Sequence, residues 1–132
     1  MIAGVGVDLV ALGAFAAQLA DPASRFVETA FTEAERDDAA QFGDRVSHLA
    51  ARYAAKEAFI KAWSGGRRGL EPALGHVALQ EIEVVRDDWG RPALRLHGAT
   101  RSAFERDGPA RIHCSLSHDG PNAVAFVIVE RG

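Results

Sequence analysis

The stretch of sequence that decides the fold is Arg52-Tyr53-Ala54-Ala55-Lys56-Glu57-Ala58-Phe59-Ile60-Lys61-Ala62-Trp63. Alanine, lysine and glutamate are strong helix formers, and the stretch contains neither glycine nor proline. We predict a long helix from about Arg45 to Trp63, which ends where Ser64-Gly65-Gly66 supplies glycine for a C-terminal cap. Because small alanine side chains surround its charged cluster, this helix has room for a ligand.

Glu57 lies at a boundary on this helix. At about 100° per residue it falls on the same side as Ala54 and Lys61, at the edge of the apolar arc. One interpretation is an ion pair between Glu57 and Lys61 at positions i and i+4, worth about 0.3–0.5 kcal/mol on an exposed helix. The other is a functional carboxylate beside a ligand. The helix alone leaves both open.

Elements on the N-terminal side of the helix place a second acid. Residues Ile2 to Val10 predict a buried strand, interrupted by Gly4 and Gly6 where another backbone or a ligand comes close, with Asp8 at its C-terminal end. A helix from Ala11 to Leu19 follows. Thr32-Glu33-Ala34-Glu35 matches a capping box and predicts a short helix from about Glu33 to Ala40.

The C-terminal half predicts two hairpins and a short helix. The loop from Gly65 to Gly75 comes first and carries the adjacent Arg67 and Arg68. The predicted elements are then strands at Glu81–Arg86 and Ala93–His97, a helix at Thr100–Asp107, and strands at Arg111–Ser117 and Ala123–Glu130. The chain is therefore predicted to be one α+β domain over residues 1–132, with one long helix and several short ones on a mostly antiparallel sheet. Sheet edges or apolar surface would remain for an oligomer to cover.

Composition narrows the class of protein. The 132 residues are 48% hydrophobic and 25% charged, which is typical of a single globular domain. No apolar run approaches the roughly 20 residues of a membrane helix, and the N-terminus lacks the basic start of a signal peptide, so we expect a cytoplasmic protein. A net charge of −3 argues against a nucleic-acid surface.

Asp8 and Glu57 are the two acids that a purely structural role explains least well. Like charges about 4 Å apart would repel by roughly 4 kcal/mol at an effective dielectric of 20, and a divalent cation would turn that cost into binding. Two carboxylates suit Mg²⁺, which keeps several waters and takes other ligands from phosphates. The competing interpretation is that Asp8 caps the following helix and Glu57 pairs with Lys61 or Lys56.

Ser117 and His118 suggest other chemistries. Adjacent residues on a strand point to opposite sides and no nucleophile elbow surrounds Ser117, so a catalytic serine is disfavoured. Zinc binding by His113, Cys114 and His118 is a weak hypothesis because no second ligand pair has a recognisable spacing. We expect the lone Cys114 to be a small buried residue.

Three separated motifs occur together in this chain. They are Gly4-Val5-Gly6-Val7-Asp8-Leu9, Arg52 to Ala62, and His113-Cys114-Ser115-Leu116-Ser117-His118. In this order and spacing they resemble the holo-acyl-carrier-protein synthases, the short bacterial type of the 4′-phosphopantetheinyl transferase superfamily. Arg25-Phe26 and Trp89-Gly90-Arg91-Pro92 also match, so the resemblance covers essentially the whole chain.

The resemblance implies an enzyme that transfers 4′-phosphopantetheine from coenzyme A to a serine of an acidic apo acyl carrier protein. Adenosine 3′,5′-bisphosphate is released, and the carrier is one of fatty acid biosynthesis or, as a variant, of polyketide synthesis. Asp8 and Glu57 carry over as Mg²⁺ ligands. Lys61, one helical turn beyond Glu57, is the candidate for contacting the diphosphate and stabilising the developing charge. The sequence does not identify the general base that takes the serine proton, for which Glu57 and a metal-bound water are the two hypotheses. The role of Lys56 stays open between covering apolar surface and serving an interface.

Further implications concern the coenzyme and the assembly. Ser117 and His118 are implied to line the coenzyme A pocket, and Arg91 and Pro92 to lie near its nucleotide end. The family also implies a homotrimer with active sites between subunits.

One feature departs from the family. Its members often carry arginines on the first helix to hold the acidic carrier, whereas the helix Ala11–Leu19 contains no basic residue. The positive field would then come from Arg25, Arg45, Arg67 and Arg68, or the contact would be more apolar through Phe15 and Leu19. The alternative function is a non-catalytic module of the same fold that binds coenzyme A or a nucleotide.

Overall fold

The computed structural model describes all residues from 1 to 132 and contains ten shorter elements arranged around one long helix. The strands are β1 (Ile2–Ala11), β2 (Ile82–Arg86), β3 (Pro92–Leu96), β4 (Ala110–Asp119) and β5 (Asn122–Arg131). The helices are α1 (Leu12–Ala20), α2 (Phe26–Ala30), α3 (Glu33–Ala40), α4 (Arg45–Gly65) and α5 (Gly98–Glu105), with a 3₁₀ turn at Leu79–Glu81. No helix has both the length and the apolar character needed to cross a membrane.

All strand pairs are antiparallel, which confirms the predicted α+β class. The strands form two sheets rather than one: a three-stranded sheet in the order β1-β5-β4 and a separate hairpin of β2 and β3. Two local expectations are corrected. Asp8 lies inside β1, which continues to Ala11, and α2 had no clear signal in the sequence.

Helix α4 lies directly on β1 because two glycines allow it. A Cβ atom at Gly4 would be 1.9 Å from the carbonyl oxygen of Ala62, and one at Gly6 would be 1.8 Å from that of Ala58. Any side chain at either position would push the helix away from the strand. The prediction that another backbone comes close at these glycines is confirmed.

The two faces of the three-stranded sheet differ in cover. Toward α4, alternate residues of β5 are buried, namely Ala123, Ala125, Val127 and Val129. On the opposite face, Val5, Val7, Leu9 and Phe126 are 51%, 50%, 66% and 42% exposed. The apolar side chains on this second face therefore have no cover from their own chain.

Helix α3 begins with the predicted capping box. The Thr32 hydroxyl oxygen accepts a hydrogen bond from the Glu35 amide (3.1 Å), and the Thr32 amide donates to Glu35 Oε1 (3.0 Å). Helix α4 starts at an Asp44 cap whose carboxylate accepts from the Ser47 amide at 3.1 Å. By contrast, no side chain caps α1, so the interpretation of Asp8 as a helix cap is wrong.

Candidate active site

A cleft of about 280 Å³ opens where β1, α1 and α4 meet. Asp8 of β1 and Glu57 of α4 line it together, and Tyr53 stands one helical turn before Glu57. Helix α1 forms the remaining wall with Phe15 and the exposed Gln18. The fold thus brings together two acids that are 49 positions apart in the sequence.

Strand alternation aims Asp8 at the helix. Gly6 and Val10, two residues before and after it, are buried on the α4 side, so the Asp8 side chain shares that direction. Its side chain is 17% exposed, and Oδ1 accepts a hydrogen bond from Lys61 Nζ at 3.0 Å. The same ammonium donates to the carbonyl oxygen of Val7 at 3.0 Å.

Lys61 therefore forms its ion pair with Asp8 and not with Glu57. Glu57 makes no ion pair within 4 Å with any basic residue, including Lys61 and Lys56, so the simple helical pairing considered from the sequence is wrong. The Lys61 side chain reaches across to β1 and is 55% exposed. Its ammonium lies beside the acids and remains accessible from solvent.

Glu57 is half-buried and feels the charge of its neighbour. Burial raises the pKa of its carboxyl above the ordinary value, and the negative charge of Asp8 raises it further, while Tyr53 and Lys61 act in the opposite direction. The pKa of the Tyr53 hydroxyl is raised by burial and then by the charges of Glu57 and Asp8. The cleft therefore concentrates more negative charge than its one lysine offsets.

These residues fit a cation that needs few protein ligands. No group of three or more His, Cys, Asp or Glu side chains is arranged to hold a metal ion, which excludes a closed zinc site. Two adjacent carboxylates, one of them with a raised pKa, suit Mg²⁺ that completes its shell with water and phosphate oxygens. Asp8 and Glu57 are the residues that would hold it.

The suggested zinc ligands on β4 are not assembled. His113 lies on the exposed side of the strand, where its Nε2 is 2.5 Å from Glu130 Oε1. Cys114 points the other way into the protein, and burial raises the pKa of its thiol. Cys114 is partly buried against the core, less than the buried cysteine expected from the sequence.

The predicted coenzyme contacts do not line the cleft. His118 of β4 lies beside the N-terminal end of α4, where its ring is 6.2 Å from the ring of His48. The His48 ring in turn stacks on the Phe42 ring at a centroid distance of 3.8 Å. The Arg86 guanidinium lies over the Phe42 ring at 4.8 Å from its centroid. Ser117, one residue before His118, is also exposed and lines no part of the cleft.

Arg91 is the last residue of the turn between β2 and β3, and Pro92 is the first residue of β3. Arg91 Nε is 2.6 Å from Asp87 Oδ2, and the guanidinium lies 5.2 Å from the ring centroid of Trp89, which is 78% exposed. Pro92 pairs with Arg86 across the hairpin. This turn therefore presents an arginine and an indole to solvent, away from the chain's own cleft.

A buried polar cluster lies on a neighbouring side of α4. Lys56 is 0% exposed, and its ammonium lies 2.7 Å from Glu35 Oε1. Arg52 is 3% exposed, donates to the carbonyl oxygen of Glu35 at 2.7 Å and pairs with Asp38. The expectation that Lys56 covers apolar surface or serves an interface is wrong, because its charge is fully enclosed.

Two parts of this arrangement escaped the sequence-based interpretation. Tyr53 is not among the site residues predicted from the sequence, although its position four residues before Glu57 indicates that their side chains meet. Nothing in the sequence identified Gln18 as part of the cleft wall. The partner of Lys56 was also hidden, because Glu35 lies 21 residues away in another helix.

Comparison with known proteins places these features in context. The family model described as 4′-phosphopantetheinyl transferase superfamily matches residues 4–126. A protein named holo-acyl-carrier-protein synthase from Mycobacterium sp. (strain KMS) is 49% identical over 130 residues, covering 98% of this chain and 97% of the relative.

Solved structures agree with the sequence match. An ACPS–CoA complex from Chronobacterium ammoniagenes superimposes with a TM-score of 0.92 at 43% identity, covering 98% of this chain and 97% of that one. The acyl carrier protein synthase of Mycobacterium tuberculosis gives a TM-score of 0.80 at 43% identity and 100% coverage of both chains. The similarity therefore extends over the full length of the chain.

Proposed function

The chain belongs to the 4′-phosphopantetheinyl transferase superfamily, and from this membership we propose that it moves 4′-phosphopantetheine from coenzyme A to a serine of an apo acyl carrier protein. The family and the class of enzyme predicted from the three motifs are confirmed. A role in fatty acid biosynthesis, a cytoplasmic location and a dependence on Mg²⁺ complete the proposal. The observation that carries it is the meeting of Asp8, Glu57 and Lys61 at one cleft.

The proposed reaction is a phosphoryl-type substitution. The serine oxygen forms a bond to the β-phosphorus of coenzyme A, and the bond from that phosphorus to the bridging oxygen breaks, so adenosine 3′,5′-bisphosphate leaves. Mg²⁺, when bound, supplies neutralisation of the diphosphate charge. The protein's task is then mainly to position two reactants and stabilise charge.

Lys61 is suited to the stabilisation of charge. Its ammonium already lies 3.0 Å from Asp8 Oδ1, and its exposed side chain is long enough to turn toward a phosphate that enters the cleft. A fixed positive charge beside the leaving oxygen stabilises the charge that develops there.

Two groups are candidates for accepting the serine proton. Glu57 lies in the cleft with a raised pKa, which favours proton uptake, and a water molecule held in the cleft is the other candidate. Tyr53, within reach of Glu57, orients that carboxylate in either case.

Positions that do not reach the chain's own cleft support a proposed homotrimer with active sites between subunits. Arg91 and Ser117 are exposed, Pro92 is partly exposed, and the uncovered sheet face of Val5, Val7, Leu9 and Phe126 offers an apolar contact. We infer that Arg91, Pro92 and Ser117 serve the coenzyme pocket of a neighbouring subunit. Light scattering that finds only monomer at micromolar concentration would contradict this arrangement.

Subunit mixing would test the shared site directly. Glu57→Gln subunits and Arg91→Ala subunits, each weakly active alone, should regain part of the activity when they are refolded together, because some sites then combine two intact halves. No recovery in mixed trimers would mean that each subunit forms its own site.

Mass spectrometry of an apo carrier protein tests the activity itself. Incubation with this protein, coenzyme A and Mg²⁺ should add one phosphopantetheine to the carrier, and addition of a chelator should prevent it. The alternative function, a non-catalytic module that binds coenzyme A, predicts binding by calorimetry without any adduct on several acidic carriers.

A further inference from the structure

Lys56 precedes Glu57 directly, yet the proposed reaction uses it in no step. Its ammonium lies 2.7 Å from Glu35 Oε1, 2.7 Å from the carbonyl oxygen of Ile82 and 2.9 Å from that of Leu79. A lysine ammonium has three hydrogens, so every donor is engaged. None of these partners lines the cleft, so Lys56 is held from a different side of α4 than the side that carries Glu57.

The acceptor of this lysine is fixed equally firmly. Glu35 is 1% exposed; its Oε1 also accepts from the Thr32 amide and its Oε2 from the Val84 amide, both at 3.0 Å. Arg52, one turn before Lys56, holds the same helix by donating to the Glu35 carbonyl oxygen. Two buried cations on one side of α4 thus grip α3 and the start of β2.

The sheet-facing side of α4 has a different character. It meets β1 through Ala58 and Ala62 against Gly6 and Gly4, with no side chain between the two backbones. Small groups make shallow ridges, and shallow ridges resist rotation of a helix about its axis poorly. The buried hydrogen bonds of Lys56 and Arg52, on another side of the helix, oppose that rotation.

Rotation of α4 has a direct consequence for the neighbouring residue. A glutamate carboxylate lies about 6 Å from a helix axis, so a rotation of ~20° would move it by about 2 Å. That displacement is large compared with the tolerance of a metal–ligand bond, which is about 0.2 Å.

We propose that Lys56 is a positioning residue, whose buried contact with Glu35 sets the rotation of α4 and so the direction in which Glu57 meets Asp8. Its effect on turnover rests on the proposed function. Its effect on the affinity of the cleft for a divalent cation does not, and the two are separable.

The test uses the double variant Lys56→Met/Glu35→Gln, which removes both buried charges and keeps similar volumes. Mn²⁺ binding is followed by electron paramagnetic resonance with coenzyme A present. We expect affinity for Mn²⁺ and kcat to fall by about 10–100-fold each, the range for groups that orient metal ligands. The KM for coenzyme A should change by less than about threefold, since uniform binding is retained.

A matched control separates positioning from stability. Phe104→Leu loosens the packing of α5 on Phe59 and Trp63 and leaves the Lys56 contacts intact. It should lower the melting temperature without changing the Mn²⁺ affinity. If the double variant binds Mn²⁺ and turns over like this control, Lys56 is only structural and the proposal is wrong.

The remaining outcomes are also decisive. A double variant that does not fold is replaced by Lys56→Gln/Glu35→Gln, in which no unpaired charge is buried, and it is judged by the same criteria. A wild-type cleft that binds no Mn²⁺ overturns the positioning proposal. Wild-type protein that binds Mn²⁺ but modifies no carrier refutes the proposed function alone, and the comparison of Mn²⁺ affinities still decides the role of Lys56.

Discussion

Helix α4 carries two charged clusters on neighbouring sides, and they are built in opposite ways. In the buried cluster each cation meets an acid, and the Arg86 and Arg52 guanidiniums hold the pKa of Asp38 down to about 2. In the cleft two acids share one exposed lysine, and burial together with Asp8 raises the pKa of Glu57. In the buried cluster the charges balance, whereas in the cleft negative charge exceeds positive charge.

This difference separates the structural task from the chemical one. Complete compensation makes the buried cluster a rigid connection between α3, α4 and β2. Incomplete compensation makes the cleft unfavourable by itself and therefore receptive to a cation and a charged substrate. Consecutive residues, Lys56 and Glu57, belong to the two different clusters.

Removing a cleft acid should give the largest effect on activity. Asp8→Ala and Glu57→Gln should each lower kcat/KM by roughly 10³-fold, because the charge that holds the cation and orients the diphosphate is lost. Circular dichroism should show an unchanged fold. At neutral pH Glu57→Gln should unfold at the same or a higher temperature than wild type, since an unfavourable charge disappears. Substantial activity in either variant would contradict the assignment of these ligands.

Removing a charge from the buried cluster should instead affect stability. Lys56→Met leaves Glu35 buried without a counter-charge, which typically costs about 3–5 kcal/mol of unfolding free energy. Urea denaturation measures this loss. Lys61→Met is the control, because its exposed ion pair is worth less than about 1 kcal/mol. Equal losses in the two variants would remove the distinction between the clusters.

Acid titration should reveal the contribution of the paired acid Asp38 to the free energy of unfolding. The folded pKa of Asp38, about 2, lies below its ordinary 3.8. Its contribution is therefore complete above about pH 4 and is lost as pH falls toward 2. Allowing for partial exposure, Asp38→Asn should cost roughly 1–2 kcal/mol at pH 7 and flatten the stability curve between pH 4 and 2. An unchanged slope in that window would show that Asp38 is not the group responsible.

The smallest predicted effect lies outside the cleft. Arg25 is exposed without an ion pair and precedes Phe26, whose ring packs on Phe15 and Tyr53 at the cleft wall. Arg25→Glu should raise the KM for an acidic carrier by about tenfold, through lost electrostatic attraction, and leave the KM for coenzyme A unchanged. Arg106→Glu, a change at an exposed residue directly after α5, serves as the control. Equal changes in both Michaelis constants would refute carrier contact at Arg25.

Local rules predicted much of this molecule from the sequence. The capping box located α3, the glycines of β1 indicated a close backbone contact, and turn residues located both hairpins. The acids of the cleft stood out because Asp8 and Glu57 occupy otherwise apolar contexts. These features depend on neighbours within a few positions, where helix and strand periodicities apply.

What the sequence hid depends on packing between distant segments. Lys56 appeared to be a surface lysine because its three oxygen partners lie 21, 23 and 26 residues away. The ion pair of Lys61 with Asp8 crosses 53 positions and replaced the simpler helical pair. No helical projection contains such partners, since they are set by the approach of separate elements.

The hairpin turn has a practical consequence through its indole. The chain contains two tryptophans in opposite surroundings: Trp63 is 5% exposed in the core, and Trp89 is 78% exposed beside Arg91. Soluble quenchers reach only Trp89, so the intrinsic fluorescence has one component that a quencher reduces and one, from Trp63, that it does not. Any molecule that settles on the turn will change the emission of Trp89 alone, which gives the unlabelled protein its own optical reporter.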